Sequence, residues 1–264
     1  LEVTVLAALP LQALLLAKTA ELMGLSCDKD FPQLRAICTA GETLTPRRRA
    51  MIQGLWQVPV FDNYGMTEVG AAAMDCPFGR LHPLVNDFVF EVLDADRKTP
   101  VELGELGHLV ITTLKRRATP IIRYWTGDRA RMFYESCPCG ACYRLEVRGR
   151  QESCLQVGDR VFDLWDLEEI MEGISAKGLW AAGPLGPSGL HFVVESDELA
   201  HSSLEGNIRM LEERYQVPLQ ITLVPPGTFY DPQELLSVGE VGKPRYIFSA
   251  EELKMKAYEK SLRL

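Results

Sequence analysis

The chain has 264 residues, 47% of them hydrophobic, so it can bury a substantial core in one large domain or two ordinary ones, and disorder is not expected. Its formal net charge of −8 is spread over mixed acids and bases, which argues against nucleic acid as a partner. The longest apolar opening, Val3 to Leu16, is broken by Pro10 and Gln12, is too short to span a bilayer and has no basic leader, so a cytoplasmic protein that does not enter membranes is expected.

The chain opens on Leu1 rather than methionine and runs directly into a strand pattern, so a preceding segment is expected. Val3 to Ala8 reads as a buried strand, Leu11 to Leu25 as a helix, and Leu34 to Ala40 as a second strand. Thr45-Pro46 places a capping residue before a first-turn proline and opens a helix to about Trp56, followed by a strand from Val58 to Asn63. Strands alternating with helices imply a parallel sheet covered by helices. Beyond Gly65, the runs Phe88 to Leu93, His108 to Thr113 and Ile121 to Tyr124 are short and separated by turn residues, predicting a small antiparallel β-barrel. From Gln151 the pattern changes again. A helix over Leu164 to Ile174, strands near Leu179 to Ala182 and Leu190 to Glu195, a helix over Glu198 to Tyr215 and a strand over Leu219 to Val224 predict a small α+β domain. Ser249 with Glu252 forms a capping box for a last helix. The expected organisation is therefore α/β: residues 1–75 parallel, 76–150 barrel, and 151–264 a second domain.

Asn63-Tyr64-Gly65-Met66-Thr67-Glu68 follows a buried strand, and ligands of open parallel sheets collect at the carboxyl ends of strands. An aromatic ring can stack on a purine, a threonine hydroxyl can bond phosphate, and a glutamate can help hold Mg²⁺. The same six residues also fit a β-turn with an exposed acid. Asp128, in Tyr124-Trp125-Thr126-Gly127-Asp128, is suited to accept from ribose hydroxyls, although Thr-Gly-Asp alone is a common turn. Lys243, between Gly242 and Pro244, is either a mobile ammonium that neutralises charge between a carboxylate and an α-phosphate, or a solvated surface lysine.

Taken in order, Ala40-Gly41-Glu42, Tyr64-Gly65-Met66-Thr67-Glu68, Gly104-Glu105-Leu106-Gly107-His108-Leu109, Tyr124-Trp125-Thr126-Gly127-Asp128, Gly149-Arg150 and Gly242-Lys243 resemble the motif series of the adenylate-forming superfamily. Leu109-Val110-Ile111-Thr112-Thr113-Leu114, Pro120-Ile121-Ile122-Arg123-Tyr124 and Cys137-Pro138-Cys139-Gly140 look most like phenylacetate-CoA ligases and their relatives. That resemblance implies ATP-dependent activation of a carboxylic acid, of aryl type, to an acyl-adenylate, then transfer to CoA. It implies that Gly41, Glu42, Asn63 and Gly65 lie along AMP, that Tyr64 stacks on adenine, and that Asp128 with Arg150 fixes the ribose. Thr67 would meet phosphate, Glu68 would serve Mg²⁺, Lys243 would be the adenylation lysine and Glu152 the hinge acid. The 151–264 region would then be the C-terminal lid, with Ala71 to Ala73 beside the acid. A carrier-protein thiol as acceptor, a noncatalytic adenylate-binding fragment and a homodimer stay open. Three departures stand out. The family's Ser/Thr/Gly-rich phosphate loop is missing from this chain, the usual hinge aspartate is Glu152, and Leu155 to Phe162 is one residue shorter than usual.

Seven cysteines, an odd number in an acidic chain, read as free thiols or metal ligands. Cys76, His82, Cys137 and Cys139 fit a tetrahedral structural zinc site, with Cys142 a competing fourth ligand and a set of reduced thiols the plain alternative.

Overall fold

Val5–Ala8 (β1) and Ala36–Ala40 (β2) pair in parallel, because the helix between them returns the chain to the end from which β1 started. The computed structural model describes residues 2–96, 98–174, 178–196, 201–230 and 245–259, and these form two compact units, Leu1–Glu152 and Ser153–Leu264. In the first unit the connecting helix is Pro10–Leu22 (α1), with proline in its first turn and the Gln12 side chain accepting from the Leu9 amide at 3.0 Å. A one-turn helix, Cys27–Asp30 (α2), precedes β2. Thr45 caps Pro46–Trp56 (α3), accepting from the Arg48 amide, and α3 leads into Val60–Met66 (β3), parallel to β2. Helices α1 and α3 pack together, and the Trp56 indole donates to the Ala13 carbonyl at 2.7 Å. Leu11, Leu15, Ile37 and Ile52 are almost wholly buried in that layer.

The sheet then continues where the sequence predicts a change of architecture. Gly70–Asp75 (β4) adds antiparallel to β3, and Leu81–Pro83 (β5) antiparallel to β4, giving a five-stranded mixed sheet in chain order. A separate four-stranded antiparallel meander follows: Phe88–Leu93 (β6), Gly107–Thr113 (β7), Tyr124–Tyr134 (β8) and Tyr143–Arg150 (β9). The expected strand at Ile121 to Tyr124 is mostly loop. Arg123 has φ +47°, a left-handed conformation that cannot continue a strand, so β8 starts at Tyr124. Phe90, Leu109, Ile111 and Leu145 join Ala72 and Ala73 in a core shared by β4 and the meander. Truncating a side chain as buried as Ile111 costs about 2–5 kcal/mol.

In the second unit a hairpin, Leu155–Val157 (β10) with Arg160–Phe162 (β11), precedes Leu164–Gly173 (α4). The Asp163 carboxylate caps α4, accepting from the amides of Trp165 at 2.9 Å and Asp166 at 3.1 Å. Trp180–Leu185 (β12), Gly189–Glu195 (β13) and Leu219–Val224 (β14) make a sheet in which β13 is antiparallel to β12 and parallel to β14. The crossover to β14 contains His201–Tyr215 (α5). Leu167, Ile170, Phe192 and Val194 form this unit's core. The capping box predicted at Ser249 and Glu252 opens Ala250–Lys254 (α6). Among the described residues, no helix is long and apolar enough to cross a membrane.

Candidate active site

β3 does not end at Asn63. It runs on to Met66 and turns through Thr67-Glu68-Val69 into β4, so the six-residue motif is one arm and the tip of a hairpin. The pairing slips between Tyr64 and Gly65, and a Cβ on Gly65 would sit 2.3 Å from the Gly70 carbonyl oxygen, an approach only glycine allows. Tyr64 is half-buried, whereas Thr67 and Glu68 are exposed at the tip.

A second irregularity lies in β8. His108 pairs with Arg129 and Val110 with Trp125, so Thr126-Gly127-Asp128 bulge opposite Leu109. The Thr126 hydroxyl donates to the Leu109 carbonyl at 2.9 Å and accepts from the Asp128 amide at 3.0 Å, which fixes the bulge. In the neighbouring strand Arg150 stands opposite Asp128.

These two irregular segments meet. The Tyr64 phenol donates to Asp128 Oδ2 at 2.6 Å, and Arg150 Nε lies 3.8 Å from Asp128 Oδ1. The Tyr124 phenol donates to Glu68 Oε1 at 2.7 Å. Arg150 also stands 3.7 Å from Glu152. Burial, and then the Asp128 carboxylate, push the Tyr64 phenol far above its usual value, so it remains a donor. The bond from Tyr124 lowers the Glu68 pKa and keeps that carboxylate ionised, while the same bond raises Tyr124.

Below this cluster lies a network that local sequence pattern does not signal. Thr39 donates to Asp62 Oδ1 at 2.8 Å, the Asp62 amide donates to Asp75 Oδ2 at 2.6 Å, and Arg49 pairs with Asp75 at 2.6 Å. Burial pushes the Asp62 carboxyl up to about 6, against the lowering bond from Thr39. Asn63 follows Asp62, and its Oδ1 is buried with no hydrogen-bond partner among the described residues.

Gly41 has φ +80° and follows β2, and Thr43 Oγ1 would lie 3.3 Å from a Cβ on Gly149, so this loop borders the Gly149-Arg150 end of β9. The Glu42 side chain is turned away to a structural task. Its carboxylate accepts from the Leu11 amide at 3.0 Å, capping α1, and lies 3.7 Å from Arg48. Ala72 and Ala73 are core residues, leaving Ala71 exposed. Lys243 lies outside the described residues. Its neighbour Arg245 is anchored to both oxygens of Glu252 at 2.7 Å each.

Cys76, His82, Cys137 and Cys139 present ligand atoms that all lie within 4.8 Å of one another. Cys76 Sγ and Cys137 Sγ are 3.7 Å apart, and Cys139 Sγ is 3.4 Å from His82 Nε2. Tetrahedral zinc with ordinary bond lengths sets sulfur pairs about 3.8 Å apart and sulfur–nitrogen pairs about 3.6 Å apart, so the four side chains fit that ion. His82 Nδ1 lies 2.5 Å from the Tyr143 carbonyl, which makes it the protonated nitrogen and turns the Nε2 lone pair towards the sulfurs. Cys142, the competing ligand, is exposed and outside this group.

No family model matches the chain. It is 29% identical over 194 residues to a phenylacetate-coenzyme A ligase of Thermus thermophilus, a match covering 62% of this chain and 44% of that protein. A phenylacetate-coenzyme A ligase of Escherichia coli is 33% identical over 103 residues, covering 38% of this chain and 24% of that protein. The chain thus spans less than half the length of the curated relatives it matches. Among solved structures, 2-hydroxyisobutyryl-CoA ligase in its postadenylation state with R3-HIB-AMP aligns at a TM-score of 0.78 and 20% identity, over 97% of this chain and 56% of that one. Anthranilate CoA ligase AuaEII in complex with anthranoyl-AMP aligns at 0.58 and 15% identity, over 99% of this chain and 51% of that one. At such identities the structural likeness carries the fold, an α/β arrangement of mixed sheets. The sequence relatives of the chain are thus phenylacetate-coenzyme A ligases, and its fold is similar to that of the solved CoA ligases.

Proposed function

We propose that this chain forms part of an enzyme that uses ATP to convert a carboxylic acid, of aryl type, to an acyl-adenylate, releasing pyrophosphate, and then transfers the acyl group to the thiol of CoA. The observation that carries the reading is the convergence of Tyr64, Asp128, Arg150 and Glu68 from three motifs distant in sequence on one cluster. In that cluster the Tyr64 ring offers a face to adenine while its hydroxyl touches the acid that would receive the ribose hydroxyls. Gly41 and the backbone around it border the same nucleotide, and Asn63 and Gly65 set the strand end beneath it. Glu42 serves through its loop, since its carboxylate caps α1. Thr67 bonds phosphate, and Glu68 is the residue that would hold Mg²⁺, which offsets phosphate charge when bound.

No protein nucleophile is needed. Catalysis rests on placement and on charge neutralisation by Lys243. Residues 1–150 act as the later part of the adenylation domain, with the meander as its barrel segment, and residues 151–264 as the lid, hinged at Glu152. Zinc held by Cys76, His82, Cys137 and Cys139 ties β4 and β5 to the loop between β8 and β9. With four protein ligands it has no open position and is structural.

Acid-dependent exchange of labelled pyrophosphate into ATP by the full-length protein tests this reading, across a panel of aryl and alkyl acids. The expected result is exchange with aryl acids, followed by thioester formation with CoA. Acceptance of a pantetheinylated carrier protein in place of CoA would reassign the acceptor, and no exchange with any acid would refute the reading.

A further inference from the structure

The two tyrosines of the cluster are exchanged between the motifs. Tyr64 sits four residues before Glu68 yet bonds Asp128, while Tyr124 sits four residues before Asp128 yet bonds Glu68. Each motif therefore supplies the hydrogen bond that holds the other motif's acid. We propose that Tyr124 and Arg116 are positioning residues for Glu68: the Tyr124 phenol orients the carboxylate and Arg116 fixes the backbone that bears it. This inference rests on the reading of Glu68 as the magnesium-binding acid.

Glu68 is exposed at a hairpin tip, where a free side chain would spread over many rotamers and lose that entropy on binding a cation. A hydroxyl donating to a carboxylate is a charge-assisted bond, and at 2.7 Å it has the length of a good one. It occupies Oε1. A carboxylate oxygen has more than one acceptor direction and Oε2 is a second atom, so capacity for a cation remains. The backbone is held from the same side of the tip. Arg116, in the loop between β7 and β8, donates through Nη1 to the Glu68 carbonyl at 3.2 Å and through Nη2 to the Val69 carbonyl. Arg116 lies in the segment that leads into β8 and Tyr124 is the first residue of β8, so the tip of the β3–β4 hairpin is tied to the strand that carries Asp128. The end of the site that grips ribose and the end that grips metal are then one mechanical unit.

The test is Tyr124→Phe in the full-length protein, which deletes one hydroxyl and keeps the ring. The Mg²⁺ concentration for half-maximal acid-dependent pyrophosphate exchange should rise about 3- to 10-fold, while kcat at saturating Mg²⁺ and the Mg²⁺-free Kd for AMP change less than about 2-fold. In a Glu68→Gln background the same substitution should add almost nothing, because the bond's purpose is already lost. A purely structural tyrosine would instead lower kcat and AMP affinity together, and its effect would add to that of Glu68→Gln. Should Tyr124→Phe fail to fold, Arg116→Met reads the same parameter from an exposed side chain and should also raise the Mg²⁺ requirement. An unmoved Mg²⁺ dependence with exchange intact overturns the positioning role and leaves the adenylation reading standing. Absence of exchange in the parent protein overturns the adenylation reading itself.

Discussion

The Tyr64 phenol, at the end of β3, donates to Asp128 Oδ2, in the β8 bulge, at 2.6 Å across 64 residues of chain. The bond sets the ring beside the acid, so a base stacked on that ring would bring its ribose to Asp128. Tyr64→Phe keeps the stacking face and loses the bond, and is expected to weaken AMP binding about 2- to 10-fold. Tyr64→Ala removes the face as well and should weaken it about 10- to 100-fold. Calorimetric titration with AMP checks both, and equal affinities for the two variants would argue against stacking.

Purified protein is expected to carry one zinc per chain by elemental analysis, lost from His82→Ala and Cys137→Ser but retained in Cys142→Ser. Chelation should lower Tm by roughly 5–15 °C, since the ion joins segments that are otherwise linked through long stretches of chain. Metal-free protein with an unchanged Tm would show that the four side chains are only neighbouring thiols and an imidazole.

Asp62 gives a pH dependence of definite sign. Burial raises its pKa from 3.8 to about 6, so the folded state favours the neutral acid and its contribution turns unfavourable as pH rises through that window. The shift is worth at most ~3 kcal/mol, fully expressed above the folded value. Asp62→Asn should therefore gain stability relative to the parent between pH 4 and pH 7, as read by Tm at each pH. A difference that stays flat across the range would mean that Asp62 is ionised at little cost.

Lys243→Ala in the full-length protein should lower acid-dependent pyrophosphate exchange by about 10²–10³-fold, with Tm unchanged. Exchange at the parental rate would remove Lys243 from the chemistry.

Much of this architecture is legible before any coordinates. The strand and helix alternation over the first 66 residues, the Thr45-Pro46 start and the Ser249/Glu252 box act through neighbours in sequence and are found, although β1, expected to be buried, is exposed or half-buried along its length. β4 is hard to read because Gly70-Ala71-Ala72-Ala73 offers neither β-branched residues nor a clear alternation. β9 does alternate, with Leu145 and Val147 between charged residues, so its period-2 signal is present. The cysteine and histidine spacing points to the metal group because zinc demands few residue types. Long-range pairings have no such signature. Glu42 caps a helix 31 residues away, and Tyr124 reaches Glu68 across 56. No local pattern distinguishes these side chains from ones free to bind a ligand.

The central claim is that the β3 tip and the β8 bulge form one nucleotide site, and it is tested most directly by titrating AMP into the parent protein and into Asp128→Ala. The account predicts saturable binding by the parent and a loss of at least about 10-fold in the variant, with Tm little changed. Equal affinity in the two proteins would contradict it.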